Sequence, residues 1–97
     1  MKKLYVVCVC GFGVGSSLIL KMKVDEVLQG LNIRYECVAQ DVTSALSARA
    51  DIVFASKEIA SQLEGRLACP LVVISNFLDK EEIKNKGLDI INSLVKD

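Results

Sequence analysis

Leu4-Tyr5-Val6-Val7-Cys8-Val9, followed by Cys10-Gly11-Phe12-Gly13-Val14-Gly15-Ser16-Ser17, is the stretch that decides the fold. Its first six residues form a continuous apolar and β-branched run bounded by glycine, the pattern of a strand covered on both faces in a parallel sheet. The run empties into a loop with glycine at every second position. Beyond it Leu20, Val24, Val27, Leu28 and Leu31 recur at helical spacing, while Lys21, Lys23, Asp25 and Glu26 face water. The reading is strand, loop and helix, with Ser16 and Ser17 opening the helix and Gly30 as a left-handed stop after its last turn.

Working outward, Ile33 to Val38 alternates, with Ile33, Tyr35 and Cys37 on one side and Arg34 and Glu36 on the other, as in a partly solvated edge strand. Ala45 and Leu46 lie in a short helical stretch between Asp41 and Arg49. Ile52-Val53-Phe54-Ala55 is a second buried strand, and Ser56 is placed to cap the next helix, which carries Ile59 and Leu63 inward and ends near Gly65. Pro70 opens a last strand, Leu71 to Ile74. Asp79 and Glu82 have the spacing of a capping box ahead of a C-terminal helix marked by Ile83, Ile90, Ile91, Leu94 and Val95. Four alternations of strand and helix predict an α/β fold: an open, doubly wound, four-stranded parallel sheet, order 2-1-3-4, with helices on both faces and Rossmann-like. Ligands on such sheets bind beyond the carboxyl ends of the strands at the switch point, which is where Cys10 falls.

Composition narrows the function. A chain of 97 residues that is 52% hydrophobic has apolar material for one core, so residues 1–97 are read as a single domain. Twelve basic residues balance twelve acidic ones with no block of like charge, which argues against a nucleic-acid partner. The apolar run after Met1-Lys2-Lys3 is too short for a signal core or a membrane span, so the expectation is a cytoplasmic protein that does not itself span the membrane. Cys8, Cys10, Cys37 and Cys69 contain no CxxC pair and the chain has no histidine, so neither a metal nor a cofactor is expected. In a reducing compartment four free thiols are the default. Cys8 and Cys10, two apart on a strand, have Cα atoms roughly 6.6 Å apart, at the far end of disulfide reach. Cys8, Cys37 and Cys69 are read as small buried residues.

The chemistry is carried by Cys10 and the glycines. Gly11, Gly13 and Gly15 let successive backbone N–H groups converge on one point, and the helix start adds unpaired donors and the positive end of its dipole. Donors that hold a phosphate also favour a thiolate, so the same loop activates the nucleophile and receives its product. Ser16 and Ser17 either donate hydroxyl hydrogen bonds to phosphoryl oxygens or supply the helix cap. Phe12 and Val14 either pack onto the protein or present an apolar contact to a partner. Asp41 and Ser56 follow strand ends and either border the site or cap their helices.

Rival readings remain open on the residues alone. Gly11-x-Gly13-x-x-Ser16 partly imitates a dinucleotide fingerprint, which keeps a non-catalytic nucleotide-binding or regulatory module in view. The spacing GxxxxGK[ST] of nucleotide hydrolases is absent. A small cysteine-dependent phosphatase-like hydrolase places arginine after Cys and five residues, where this chain has Ser16; without that fork, hydrolysis loses its main electrostatic aid.

Cys10 to Ser17, together with Leu20-Lys21-Met22-Lys23-Val24-Asp25, resembles the enzyme IIB components of the bacterial sugar phosphotransferase system, of lactose/ascorbate type and nearest the ascorbate class. The resemblance spans essentially the whole chain. It implies that Cys10 is the phosphorylated cysteine and that Gly11, Phe12, Gly13, Val14, Gly15, Ser16 and Ser17 form its phosphate-binding loop. It implies too that the phosphoryl group arrives from a histidine of a IIA partner and leaves for an ascorbate-like sugar bound by a membrane IIC permease. A chain without histidine fits the middle carrier and not the IIA donor.

Overall fold

The computed structural model describes residues 3–10 and 14–95, excluding the side chain of Val14. Four strands, β1 (Leu4–Val9), β2 (Tyr35–Ala39), β3 (Ile52–Ser56) and β4 (Leu71–Ile74), alternate with four helices, α1 (Val14–Gln29), α2 (Val42–Ser47), α3 (Lys57–Leu63) and α4 (Lys80–Val95). The sheet order is β2-β1-β3-β4 and every pairing is parallel, as the alternation predicts. Val6 stands between Cys37 and Ile52, and Cys8 between Ala39 and Phe54. Register at the lower end of β1 is tied by Asp51, whose carboxylate accepts the Tyr5 N–H at 2.8 Å while its own N–H donates to the Tyr5 carbonyl at 2.8 Å.

Period-two alternation divides the core. Leu4, Val6 and Cys8 of β1 join Ile52, Phe54, Val72 and Ile74 under Leu20, Val24 and Leu28 of α1 and Ile83 and Ile91 of α4. Val7, Val9, Val53 and Ala55 face the other way, against Ala45 of α2 and Ile59 and Leu63 of α3. Each fully buried Val, Leu or Ile removes enough apolar surface to contribute about 1.5–3 kcal/mol. The two central strands, buried on both faces, therefore hold the carboxyl edge rigid where Cys10 emerges.

Several boundaries differ from those predicted, each for a local reason. Helix α1 starts at Val14, so Ser16 and Ser17 lie within its first turn and neither is its cap. After α1 the left-handed residue is Asn32, φ 54°, and not Gly30; asparagine tolerates that region because its short polar side chain bonds locally. Strand β2 begins at Tyr35, two residues after Ile33. Gly65 does take the left-handed turn, φ 76°, just past α3. The capping box before α4 is half formed. Asp79 Oδ1 accepts the N–H of Glu81 at 3.0 Å and of Glu82 at 3.4 Å. Glu82 does not return the bond: its carboxylate takes the N–H groups of Ser75 and Asn76 at 2.7 and 2.9 Å, closing the turn after β4. Asp41 caps α2 through the Ser44 N–H, whereas Ser56 occupies the cap position of α3 with no side-chain capping bond.

Candidate functional site

Cys10 directly follows β1, at the carboxyl edge of an inner strand and four residues before α1 begins. Its backbone N–H donates to Ser17 Oγ at 3.0 Å, a bond closed within the chain between strand end and first helical turn. Ser17 is buried, and this contact ties the end of β1 to the first turn of α1. Cys10 is 6% exposed, and among the described residues it joins neither apolar cluster.

The first turn of α1 presents backbone N–H groups at the helix start, where an α-helix has no intrahelical acceptors of its own to offer. They sit on the positive end of a sixteen-residue helix. Gly15 is exposed, and a Cβ built there meets nothing within 4 Å among the described residues, so the approach to those donors is open at that point. Gly11, Phe12 and Gly13 lie outside the described residues, as does the side chain of Val14; the structure thus brings Cys10, Gly15, Ser16 and Ser17 together at the head of α1.

The other thiols are set apart by their surroundings. Cys8 Sγ lies 3.7 Å from Cys37 Sγ, within hydrogen-bond reach, both thiols buried and free of any disulfide. The hydrogen bond with Cys37, then burial, pushes the Cys8 thiol well above its ordinary value, which keeps it protonated and inert. The partner of Cys8 is thus Cys37 on the neighbouring strand and not Cys10 on its own. Cys69 is half-exposed, not buried as expected, and its thiol is also pushed up by burial. Lys21 and Lys23 are engaged on α1 itself, Lys21 with Asp25 at 2.7 Å and Lys23 with Glu26 at 3.9 Å. The hydrogen bond to Asp25 holds the Lys21 ammonium above its usual value.

Two features escaped the sequence reading. Leu18, Ile19 and Met22 are exposed on the first half of α1, so this helix is apolar outward as well as inward. A cleft of about 240 Å³ opens at the carboxyl end of β2, between the first turns of α1 and α2, lined by Ser17, Ala39, Gln40, Asp41 and Ser44. A glutamine at a strand end carries no spacing signal that would have marked it. Among the described residues no group of three or more His, Cys, Asp or Glu side chains forms a metal site, and no helix is long and apolar enough to cross a membrane.

Residues 5–87 match the family described as PTS system, Lactose/Cellobiose specific IIB subunit. Curated relatives named ascorbate-specific PTS system EIIB component include one from Salmonella choleraesuis, 37% identical over 89 residues, covering 89% of this chain and 87% of the relative. Another, from Escherichia coli O6:H1, is 36% identical and covers 91% of this chain and 89% of its own length. A third, from Mycoplasma pneumoniae, is 28% identical with 86% and 90% covered. The solved lactose-specific IIB component domain from Streptococcus pneumoniae superposes with a TM-score of 0.65 over 98% of this chain and 100% of that one, at 12% identity, a likeness of fold.

Proposed function

The chain belongs to the lactose/cellobiose-specific IIB subunit family of the phosphotransferase system, and from that membership we propose that Cys10 is the residue that carries the phosphoryl group. As a sugar-specific IIB component the protein is a phosphotransferase. The observation that supports Cys10 is its position: it ends an inner strand ahead of a long helix and is tied to that helix by the bond from its N–H to Ser17 Oγ. Gly11, Phe12, Gly13, Val14, Gly15, Ser16 and Ser17 would be its phosphate-binding loop, with backbone N–H groups as the main donors.

The transfer runs in two balanced steps. The Cys10 thiolate attacks the phosphorus of a phosphohistidine on a IIA partner; the S–P bond forms, the P–N bond breaks, and the leaving imidazole nitrogen keeps the electron pair and takes up the proton that the thiol gave up. A sugar hydroxyl held by a membrane IIC permease then attacks the same phosphorus. The O–P bond forms, the S–P bond breaks, sulfur leaves as thiolate, and the hydroxyl proton passes to a base or to water. Positioning and charge neutralisation carry most of such a step. The curated relatives' names support an ascorbate-like sugar.

Both partners must reach one sulfur. Leu18, Ile19 and Met22 supply exposed apolar surface on the helix that follows it, and at 6% exposure Cys10 must become more accessible when a partner docks. Their methyl signals are expected to shift when the IIA partner is added.

Incubation with the general phosphotransferase proteins, a IIA donor and labelled phosphoenolpyruvate should place an acid-stable, iodine-sensitive phosphate on Cys10. Cys10→Ser should fold and remain unlabelled, because its hydroxyl is far less acidic and the chain has no histidine to activate it. A wild-type protein that stays unlabelled would overturn the reading. Turnover of an aryl phosphate by the protein alone, abolished by Cys10→Ser, would favour the hydrolase instead.

A further inference from the structure

Gln40 closes β2 at the carboxyl edge, its backbone N–H donating to the Cys8 carbonyl at 3.0 Å, two residues ahead of Cys10 in the neighbouring strand. Its side-chain oxygen Oε1 is buried and has no hydrogen-bond partner among the described residues. Gln40 is among the residues that line the cleft of about 240 Å³, together with Ser17, whose Oγ holds the Cys10 N–H. A buried carbonyl oxygen left unpaired is costly, and native folds rarely keep one without a functional reason. Asp41, on the same cleft, has its carboxyl held below the usual range by the Ser44 N–H and stays ionised, so an anion arriving nearby meets a like charge that needs an opposing donor.

Resting on the phosphocysteine reading above, we propose that Gln40 is a further phosphoryl-binding residue. A terminal amide turns about a broad, roughly two-fold torsion, so its oxygen and nitrogen can exchange places. With no partner on Oε1, that turn gives up no hydrogen bond of the oxygen. When a phosphoryl group sits on Cys10, the turned amide presents Nε2–H to a phosphoryl oxygen across the cleft, and the orphaned acceptor gives way to a charge-assisted donor. Gln40 is thus poorly satisfied in the resting protein and well satisfied in the phosphorylated one, which favours loading of the sulfur.

The test uses full-length protein labelled with nitrogen-15 and phosphorylated by the general phosphotransferase proteins and a IIA donor, with no sugar present. The side-chain NH₂ signals of Gln40 are expected to shift and to exchange more slowly with solvent on phosphorylation. Gln40→Met, similar in length and without polar atoms, should fold at least as stably, yet its ratio of phosphorylated to free protein at equilibrium with the donor should fall by about tenfold or more, the loss expected for one charge-assisted bond. Gln40→Glu should fall further. Wild-type protein that takes up phosphate while the Gln40 signals stay still, or a Gln40→Met variant that loads as fully as wild type, overturns this inference and leaves the carrier reading intact. Wild-type protein that takes up no phosphate removes both.

Discussion

At the scale of single residues, two cysteines two positions apart have opposite environments. Cys8 is sealed under α1 against Cys37 with its thiol pushed up, while Cys10 lies past the strand end beside a helix N-terminus. Two residues along the strand direction separate core from candidate site, because Cys10 lies past the last ladder position and beside the first turn of α1. Gly15 tests the other side of that site. It is helical and exposed, and a methyl group there would meet nothing within 4 Å among the described residues. Gly15→Ala should therefore raise stability by about 0.5–1 kcal/mol in urea denaturation, through reduced freedom of the unfolded chain. It should also slow phosphate uptake by Cys10, since the methyl group crowds the approach to the first-turn N–H groups. Unchanged uptake would remove Gly15 from the proposed loop.

Among the elements, α1 and α4 share one face of the sheet and are built differently. Helix α1 turns Leu20, Val24 and Leu28 inward with Val27 packed beside them, leaving Leu18, Ile19 and Met22 outward, so these three are unexplained by packing and consistent with a surface that meets partners. Helix α4 approaches the sheet closely at Gly87, where an added Cβ would stand 2.8 Å from Cε1 and Cζ of Phe54. Phe54 is fully buried, so its ring can yield only by displacing core neighbours. Gly87→Ala should thus lower stability by about 1–3 kcal/mol from overpacking, less the helix-propensity gain of about 1 kcal/mol; thermal unfolding checks the sign. A higher melting temperature would mean that α4 can slide outward at no cost.

On the scale of the whole molecule, acid sensitivity has an identifiable source. Burial works against the charge on Glu82, yet the Lys86 ammonium and the N–H groups of Ser75 and Asn76 outweigh it and hold its carboxyl at about 2 instead of 4.5. A depressed carboxyl stabilises the fold above its unfolded value, so this contribution is present above pH 4.5 and is lost as pH falls from there through about 2. Urea titrations across that window should show stability falling, and Glu82→Gln should flatten the fall; an unchanged slope would place the acid sensitivity elsewhere. The sequence by itself determined the four strands, their order and the place of Cys10 at the switch point, because apolar periodicity and right-handed crossovers leave few ways to bury runs such as Leu4–Val9 and Ile52–Ser56. Only the tertiary structure decided which groups meet: Cys8 with Cys37, Cys10 with Ser17, Glu82 with the turn after β4, and Gln40 with a cleft, its Oε1 unpartnered among the described residues. Those meetings depend on the stagger of neighbouring strands and the first turn of each helix, distances of a few ångströms that no one-dimensional pattern encodes.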